Sequence, residues 1–381
     1  MTLIKKRVAI KMDRYVNLAN TVKAVNNQAI KPNRIEYIDA MRGFTMLLVV
    51  YSHVILFGYS GAYEDLILGG GNFLTYNELF VLFRMPLFFF ISGFILFKKD
   101  FDWSLSTSWR FLLKKAKVQI IPTAFFMAVF VVIAKLSFTT ALTASAKEGY
   151  WFTITLFEYF VLYVLFRLIC KMIHKKDGSD ILLLLFASAV FITSRPTFAA
   201  LLHLPEDITG LLGMSKLNYF VYFAFGTLIK KHFARVEAIM DNGYVMAMLI
   251  IAFLSFIIAS YLGGPLGNIL KRGTGFLGVM IVFALFRYYQ STFSQEHRIG
   301  CLLQFIGRRT LDIYLLHYFF LPRNLDVLGK FFSSGNNYSI EFIVTLLIAS
   351  LVIGLSLCVS GVLRTSPILA HWLFGAKKTY S

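Results

Sequence analysis

RIEYIDAMRGFTMLLVVYSHVILFGYS, residues 34–60, combines an apolar run with ionisable side chains. It is long and apolar enough to cross a bilayer as one helix, which takes about 20 residues. Yet it carries an acid, a guanidinium and an imidazole at Asp39, Arg42 and His53, with ten residues between the last two. At ~100° and ~1.5 Å per residue, eleven steps return a helix to within roughly 20° of the same face, ~16 Å further along. Arg42 and His53 therefore share a stripe, with Asp39 beside it and Met46 and Val50 between. Polar groups inside a bilayer are costly unless they meet a partner, water or a ligand, so this stripe is expected to face a polar reaction chamber. For Asp39 and Arg42 a structural reading stays open: an acid suits a helix N-terminus, and an arginine can snorkel to the headgroups. His53 is mid-span and has no such exit.

Working outward, the 381 residues are 57% hydrophobic and include 40 phenylalanines, more than a soluble domain of this size can hide. The fold class expected is an all-α polytopic integral membrane protein. Spans fall at 34–60, 77–97, 118–138, 151–173, 181–195, 216–230, 244–262, 274–290, 309–323 and 340–363, ten in all. The fifth, sixth and ninth are short for a full crossing and are expected to be tilted, broken or extended by their flanks. Residues 1–33 are basic and lack an apolar leader core, so they are expected as a cytoplasmic tail; 34–365 form the transmembrane domain and 366–381 a second cytoplasmic tail.

The net charge of +18 fits this topology and not nucleic-acid binding. With the N-terminus inside, 28 of the 38 lysines and arginines fall in cytoplasmic segments and six in external loops, the asymmetry of the positive-inside rule. Both termini are expected inside. The cysteines, Cys170, Cys301 and Cys358, have no metal-site spacing, and no metal is expected. The triple glycine at Gly69–Gly71 reads as a turn, and no internal repeat is visible.

Other polar residues interrupt the later spans. The second, FRMPLFFFISGF, holds Arg84 before Pro86 and a small Ser92–Gly93 pair suited to close helix packing or to function. The fourth, GYWFTITLFEYF, holds Glu158, and the ninth, GRRTLDIYLLHYFFLP, holds Asp312, Tyr314 and His317. Counted at ~1.5 Å per residue, His53, Arg84 and Glu158 all lie ~10 Å below the outer surface. They can meet at one level, with an Arg84–Glu158 ion pair as the structural alternative. His317 reads as a supporting helix contact. Tyr59, Tyr63, Tyr150 and Trp151 near the outer surface suit either a sugar or the aromatic belt of the bilayer.

These segments resemble the membrane-bound acyltransferase-3 family: an acid, two residues and Arg-Gly, ten residues from arginine to histidine, then PLFFFISGF, the YWF opening of the fourth helix and GRRTLDIYLLH. These are bacterial multispan enzymes of the cytoplasmic membrane. The resemblance implies transfer of an acyl group, usually acetyl, from cytoplasmic acetyl-CoA or another acyl-CoA to a hydroxyl of a cell-surface or lipid-linked glycan. It makes His53 the essential histidine and Arg42 its paired arginine. Where members carry Arg-x-x-Arg before a proline of the third helix, this chain has Lys114 and Lys117 before Pro122, and lysine lacks the bidentate phosphate contact. Many members carry an appended extracytoplasmic hydrolase-like domain; without one, this chain is expected to act alone or with a separate partner.

The mechanism expected assigns the CoA phosphates to Arg42, Lys114 and Lys117 and threads the thioester along Met46 and Val50. His53 is the general base, Glu158 the first candidate to orient it, and Arg84 the stabiliser of the developing oxyanion. Asp39, Ser92, Gly93 and His317 have supporting roles. The competing reading is a secondary transporter or glycan flippase, which would release no CoA from acyl-CoA. An inactive member serving as an assembly module is a further alternative.

Overall fold

The computed structural model describes residues 35–59, 76–173, 179–194, 196–260, 264–334 and 337–375. The N-terminal tail expected over 1–33, the Gly69–Gly71 turn, Tyr63 and the last six residues lie outside these. The chain divides into Met1–Glu36 and a main unit, Tyr37–Ser381. Among the described residues the main unit is built of helices joined by loops, with no strand.

Its principal helices are α1 (Glu36–Gly58), α2 (Tyr76–Leu96), α3 (Leu105–Ile133), α4 (Trp151–Met172), α5 (Asp180–Thr193), α6 (Phe220–Lys231), α7 (Phe233–Met240), α8 (Gly243–Ser260), α9 (Gly264–Tyr288), α10 (Arg298–Arg308), α11 (Thr310–Leu316), α12 (Tyr338–Leu363) and α13 (Pro367–Phe374). A helix occupies each of the ten stretches expected to span. Five of them, α1, α2, α3, α4 and α12, are long and apolar enough to cross a membrane, and α7 with α8, bent by 87°, make a sixth if that pair is one span. The protein is therefore a multi-pass membrane protein.

Of the five helices long and apolar enough to span, the most apolar is not the most buried. In α12, 28% of the best spanning window is buried inside the protein, against 67% in α1. Lipid solvates leucine as well as a protein core does, so the helix carrying polar groups is the one that must be enclosed.

Close backbone approach sets how the helices dock. A Cβ on Gly93 of α2 would run into the Phe223 carbonyl of α6, and one on Gly226 of α6 into the Phe90 carbonyl of α2. Ser92 turns its hydroxyl back to donate to the Phe88 carbonyl at 2.8 Å. The Ser92–Gly93 pair is thus a packing seam, with Ser92 satisfied within its own helix. Gly43 of α1 and Gly307 of α10 form a second seam: their Cβ positions meet the Leu303 and Asp39 carbonyls.

Two of the three short spans are broken. Residues Met214–Tyr219 form a 3₁₀ turn before α6 begins. In the ninth stretch Arg309, at φ −113°, separates α10 from α11, and a 3₁₀ turn, His317–Phe319, follows α11 directly. Interrupted helices within a membrane domain are tolerated where protein or water satisfies the freed backbone groups, and such breaks mark functional sites. The stretch expected as a second tail starts as a helix: Leu373 and Phe374 of α13 enter the same apolar cluster as Met46 and Val50.

Candidate active site

The break after Leu316 brings two histidines together. His53 Nδ1 lies 2.8 Å from His317 Nε2. The ring planes are 8° apart and the centroids 5.1 Å apart. That separation is the nitrogen–nitrogen distance plus about one ring radius at each end, so the rings meet edge to edge in nearly one plane. A hydrogen bond then lies along the in-plane lone pair, its favoured direction. The other nitrogen of His317, Nδ1, faces the backbone carbonyls of Ile313 and Tyr314 at 3.0 and 2.8 Å. His317 has no exposed surface, whereas His53 keeps some.

Aromatic rings hold this pair in place. The Tyr318 ring lies 4.0 Å from that of His317 and 5.3 Å from that of His53, centroid to centroid, and Phe57 stands edge-on to His53 at 5.9 Å. Tyr314 and Tyr318 both donate to the Gly149 carbonyl, at 2.7 and 3.0 Å, and the Phe152 amide donates to the Tyr314 hydroxyl at 3.0 Å. Gly149 sits at φ +91°, and any side chain there would enter the Tyr318 ring. Only glycine serves where both the backbone angle and the space exclude a Cβ. The turn before it is strained as well, with Lys147 and Glu148 at φ +46° and +50°. Lys147 secures the turn by donating to the carbonyls of Leu142, Gly210 and Leu211 at 2.8–3.2 Å. Burial lowers its ammonium pKa from the ordinary lysine value, with Glu158 acting in the opposite direction.

Of the three groups expected at one level, the structure gathers two. Arg84 is within electrostatic range of His53, Tyr219 and Tyr318, and its buried Nη1 has no hydrogen-bond partner. Glu158 instead lies against Gly213 and within range of Lys147, its Oε2 also buried without a partner. The two are not paired with each other, and the group that touches His53 is His317, not Glu158. Depth fixes level along a helix axis and leaves azimuth open, so counting residues could not separate these cases.

At the other end of α1, Arg42 donates to the Thr310 hydroxyl at 2.9 Å and lies 3.7 Å from Asp39. Met46 and Val50, the expected path between Arg42 and His53, are 1% and 0% exposed in the apolar cluster. That face of α1 is packed shut. Asp312, singled out within the ninth span, forms a bidentate pair with Arg364 at 2.8 and 2.9 Å and is 3.3 Å from Arg309. It clamps α11 to α12.

A family model, the acyltransferase domain of the acyltransferase-3 family, matches residues 35–365. The chain belongs to the acyltransferase-3 family. No curated protein and no solved structure matches it. As a member of that family it is a membrane acyltransferase, and basic residues gather near the Arg42 end of α1. Lys115 of α3 is within electrostatic range of Arg42, Lys114 and Lys98, and its ammonium sits 4.5 Å over the Phe160 ring. Lys117 lies 4.9 Å over the Trp372 ring of α13. Lys114 and Lys117 stand three positions apart, as the cations of the family's motif do, a pattern that leaves out Lys115. Lys115 and Lys117 point ~200° apart around the helix, so they serve different neighbours.

Proposed function

We propose that this acyltransferase moves an acyl group, acetyl in the family's usual case, from cytoplasmic acyl-CoA to a hydroxyl of a cell-surface or lipid-linked glycan in the bacterial inner membrane. The topology proposed has ten crossings and both termini inside, as the distribution of basic residues suggests. The observation that carries the reading is the imidazole of His53, mid-span, partly accessible and hydrogen-bonded to His317 at 2.8 Å beside the unpaired end of Arg84.

The donor is held by charge. Arg42, Lys98, Lys114 and Lys115 form a basic group on α1, α3 and the loop after α2, suited to the phosphates of CoA. Its thioester must reach His53 by a route other than the packed Met46–Val50 face, or by displacing Met46, an adaptable side chain. His53 takes the proton of the acceptor hydroxyl as its oxygen attacks the thioester carbonyl carbon. The carbon–sulfur bond breaks, and the CoA sulfur leaves with the proton returned from His53. Arg84, with a donor uncommitted in the resting protein, stabilises the charge that develops on the carbonyl oxygen; one such donor is worth ~10²–10³ in rate. Asp39 supports Arg42, while Ser92 and Gly93 serve packing.

The test is release of free CoA by purified protein in lipid nanodiscs given acetyl-CoA and glycan acceptors. Wild type is expected to release CoA in step with acylated product, and correctly inserted His53→Ala to lose at least ~10²-fold. Full turnover in His53→Ala would remove the proposed base.

A further inference from the structure

We infer that His317 is a positioning residue that sets the tautomer of His53, leaving the proton on His53 Nδ1 and the lone pair on Nε2. The chain of proton assignments starts at the broken helix. His317 Nδ1 faces two main-chain carbonyl oxygens, Ile313 at 3.0 Å and Tyr314 at 2.8 Å. Carbonyl oxygens only accept, so this nitrogen carries a hydrogen. A neutral imidazole has one N–H, and His317 Nε2 is therefore bare. The nitrogen 2.8 Å away, His53 Nδ1, must donate to it. That fixes the lone pair of His53 on Nε2, pointing away from His317.

The alternative is a doubly protonated His317, which would donate to His53 Nδ1 and reverse the assignment. Its surroundings oppose that state. The ring has no exposed surface, and it touches the two carbonyls, His53 and the rings of Tyr314 and Tyr318. Among the described residues the charged group in electrostatic range of the pair is Arg84, a cation. A second buried cation without a carboxylate is costly.

The catalytic meaning rests on the acyltransferase reading above. A base must present a lone pair to the acceptor hydroxyl, and the nitrogen that does so is set by the hydrogen bond made by the other one. His317 thus takes the orienting role that a carboxylate fills in other histidine bases, with a difference. A neutral acceptor aligns the ring without adding negative charge beside it. When Nε2 takes the acceptor proton, His53 becomes an imidazolium whose Nδ1–H still donates to His317; when it returns that proton to the CoA sulfur, the starting tautomer is restored. No proton needs to leave the pair through His317, because its own Nδ1–H is held by the two carbonyls throughout.

The deciding measurement is nitrogen NMR of ¹⁵N-histidine-labelled wild-type protein in nanodiscs at neutral pH, with His53 assigned by its loss in His53→Asn. The expected spectrum shows His53 protonated on Nδ1 and bare on Nε2, with a coupling across the hydrogen bond to His317 Nε2. A His53 protonated on Nε2 would overturn the inference. Because this is read in the resting protein, it stands or falls whether or not CoA is released. Two variants then test the role. His317→Leu is expected to lower kcat by ~10²–10⁴-fold with the KM for acetyl-CoA within about twofold of wild type. His317→Gln, whose amide oxygen can accept from His53 Nδ1–H, is expected to keep that tautomer and to recover at least ~10-fold of the loss. A folded His317→Leu with wild-type kcat, or a His317→Gln that keeps the tautomer and recovers nothing, would overturn the positioning role.

Discussion

Arg84 and Arg364 are two of the arginines of the membrane domain, and the protein treats them in opposite ways. Arg364 is neutralised: both oxygens of Asp312 accept from it, the Ser360 hydroxyl joins the same carboxylate, and the Phe374 ring lies 4.6 Å from the guanidinium carbon. Arg84 has a buried nitrogen with no partner and is grouped with His53, Tyr219 and Tyr318. A buried charge ordinarily acquires a counter-ion because leaving it bare is expensive. Arg364 holds helices together, and under the proposed function the incompletely satisfied Arg84 is kept for charge that arrives with the reaction.

The sharpest way to break that comparison is to remove the uncommitted cation. Arg84→Met is expected to lower acyl transfer by ~10²–10³-fold with the KM for acyl-CoA unchanged, while its thermal midpoint in detergent stays level or rises. Loss of stability with wild-type kcat per folded molecule would make Arg84 structural. Arg364→Ala should show the reverse pattern. Asp312 would keep only Arg309 and the Ser360 hydroxyl, and unfolding is expected to become easier by about 3 kcal/mol, with kcat per folded molecule near wild type.

Smaller effects are expected at the basic group around Arg42, where the proposed donor would bind. Lys115→Ala is expected to raise the KM for acyl-CoA by ~5–10-fold at unchanged kcat, the size of losing one partly buried phosphate contact of ~1–1.5 kcal/mol. Lys117→Ala, which gives up only a cation–π contact to Trp372, should change KM by less than about twofold and cost about 0.5–1 kcal/mol of stability. Equal KM effects from the two lysines would show that the donor site extends across both faces of α3.

Glu158 and His317 show where sequence reading reaches its limit. Both fall within expected spans, and it is His317, not Glu158, that the structure sets against His53. Glu158 had the chemistry expected of an orienting group and points toward Lys147 and Gly213. His317 reads as a helix contact in the sequence because a break can be expected in a short span without its position being fixed. The helix ends at Leu316, and the 3₁₀ turn that follows leaves the Ile313 and Tyr314 carbonyls available to its ring.

By itself the sequence determined the membrane class, the helical stretches, the acyltransferase resemblance and the pair Arg42 and His53, because each depends on composition or on spacing along one helix, where period and rise are fixed. Tertiary structure alone decided that His53 meets His317, that Arg84 approaches it and Glu158 does not, that Met46 and Val50 are sealed, and that Lys115 joins Arg42. Those facts depend on the rotation of each helix about its own axis and on where a helix breaks. Glycine seams such as Gly43–Gly307 and Gly93–Gly226 fix that rotation through contacts between residues far apart in the chain.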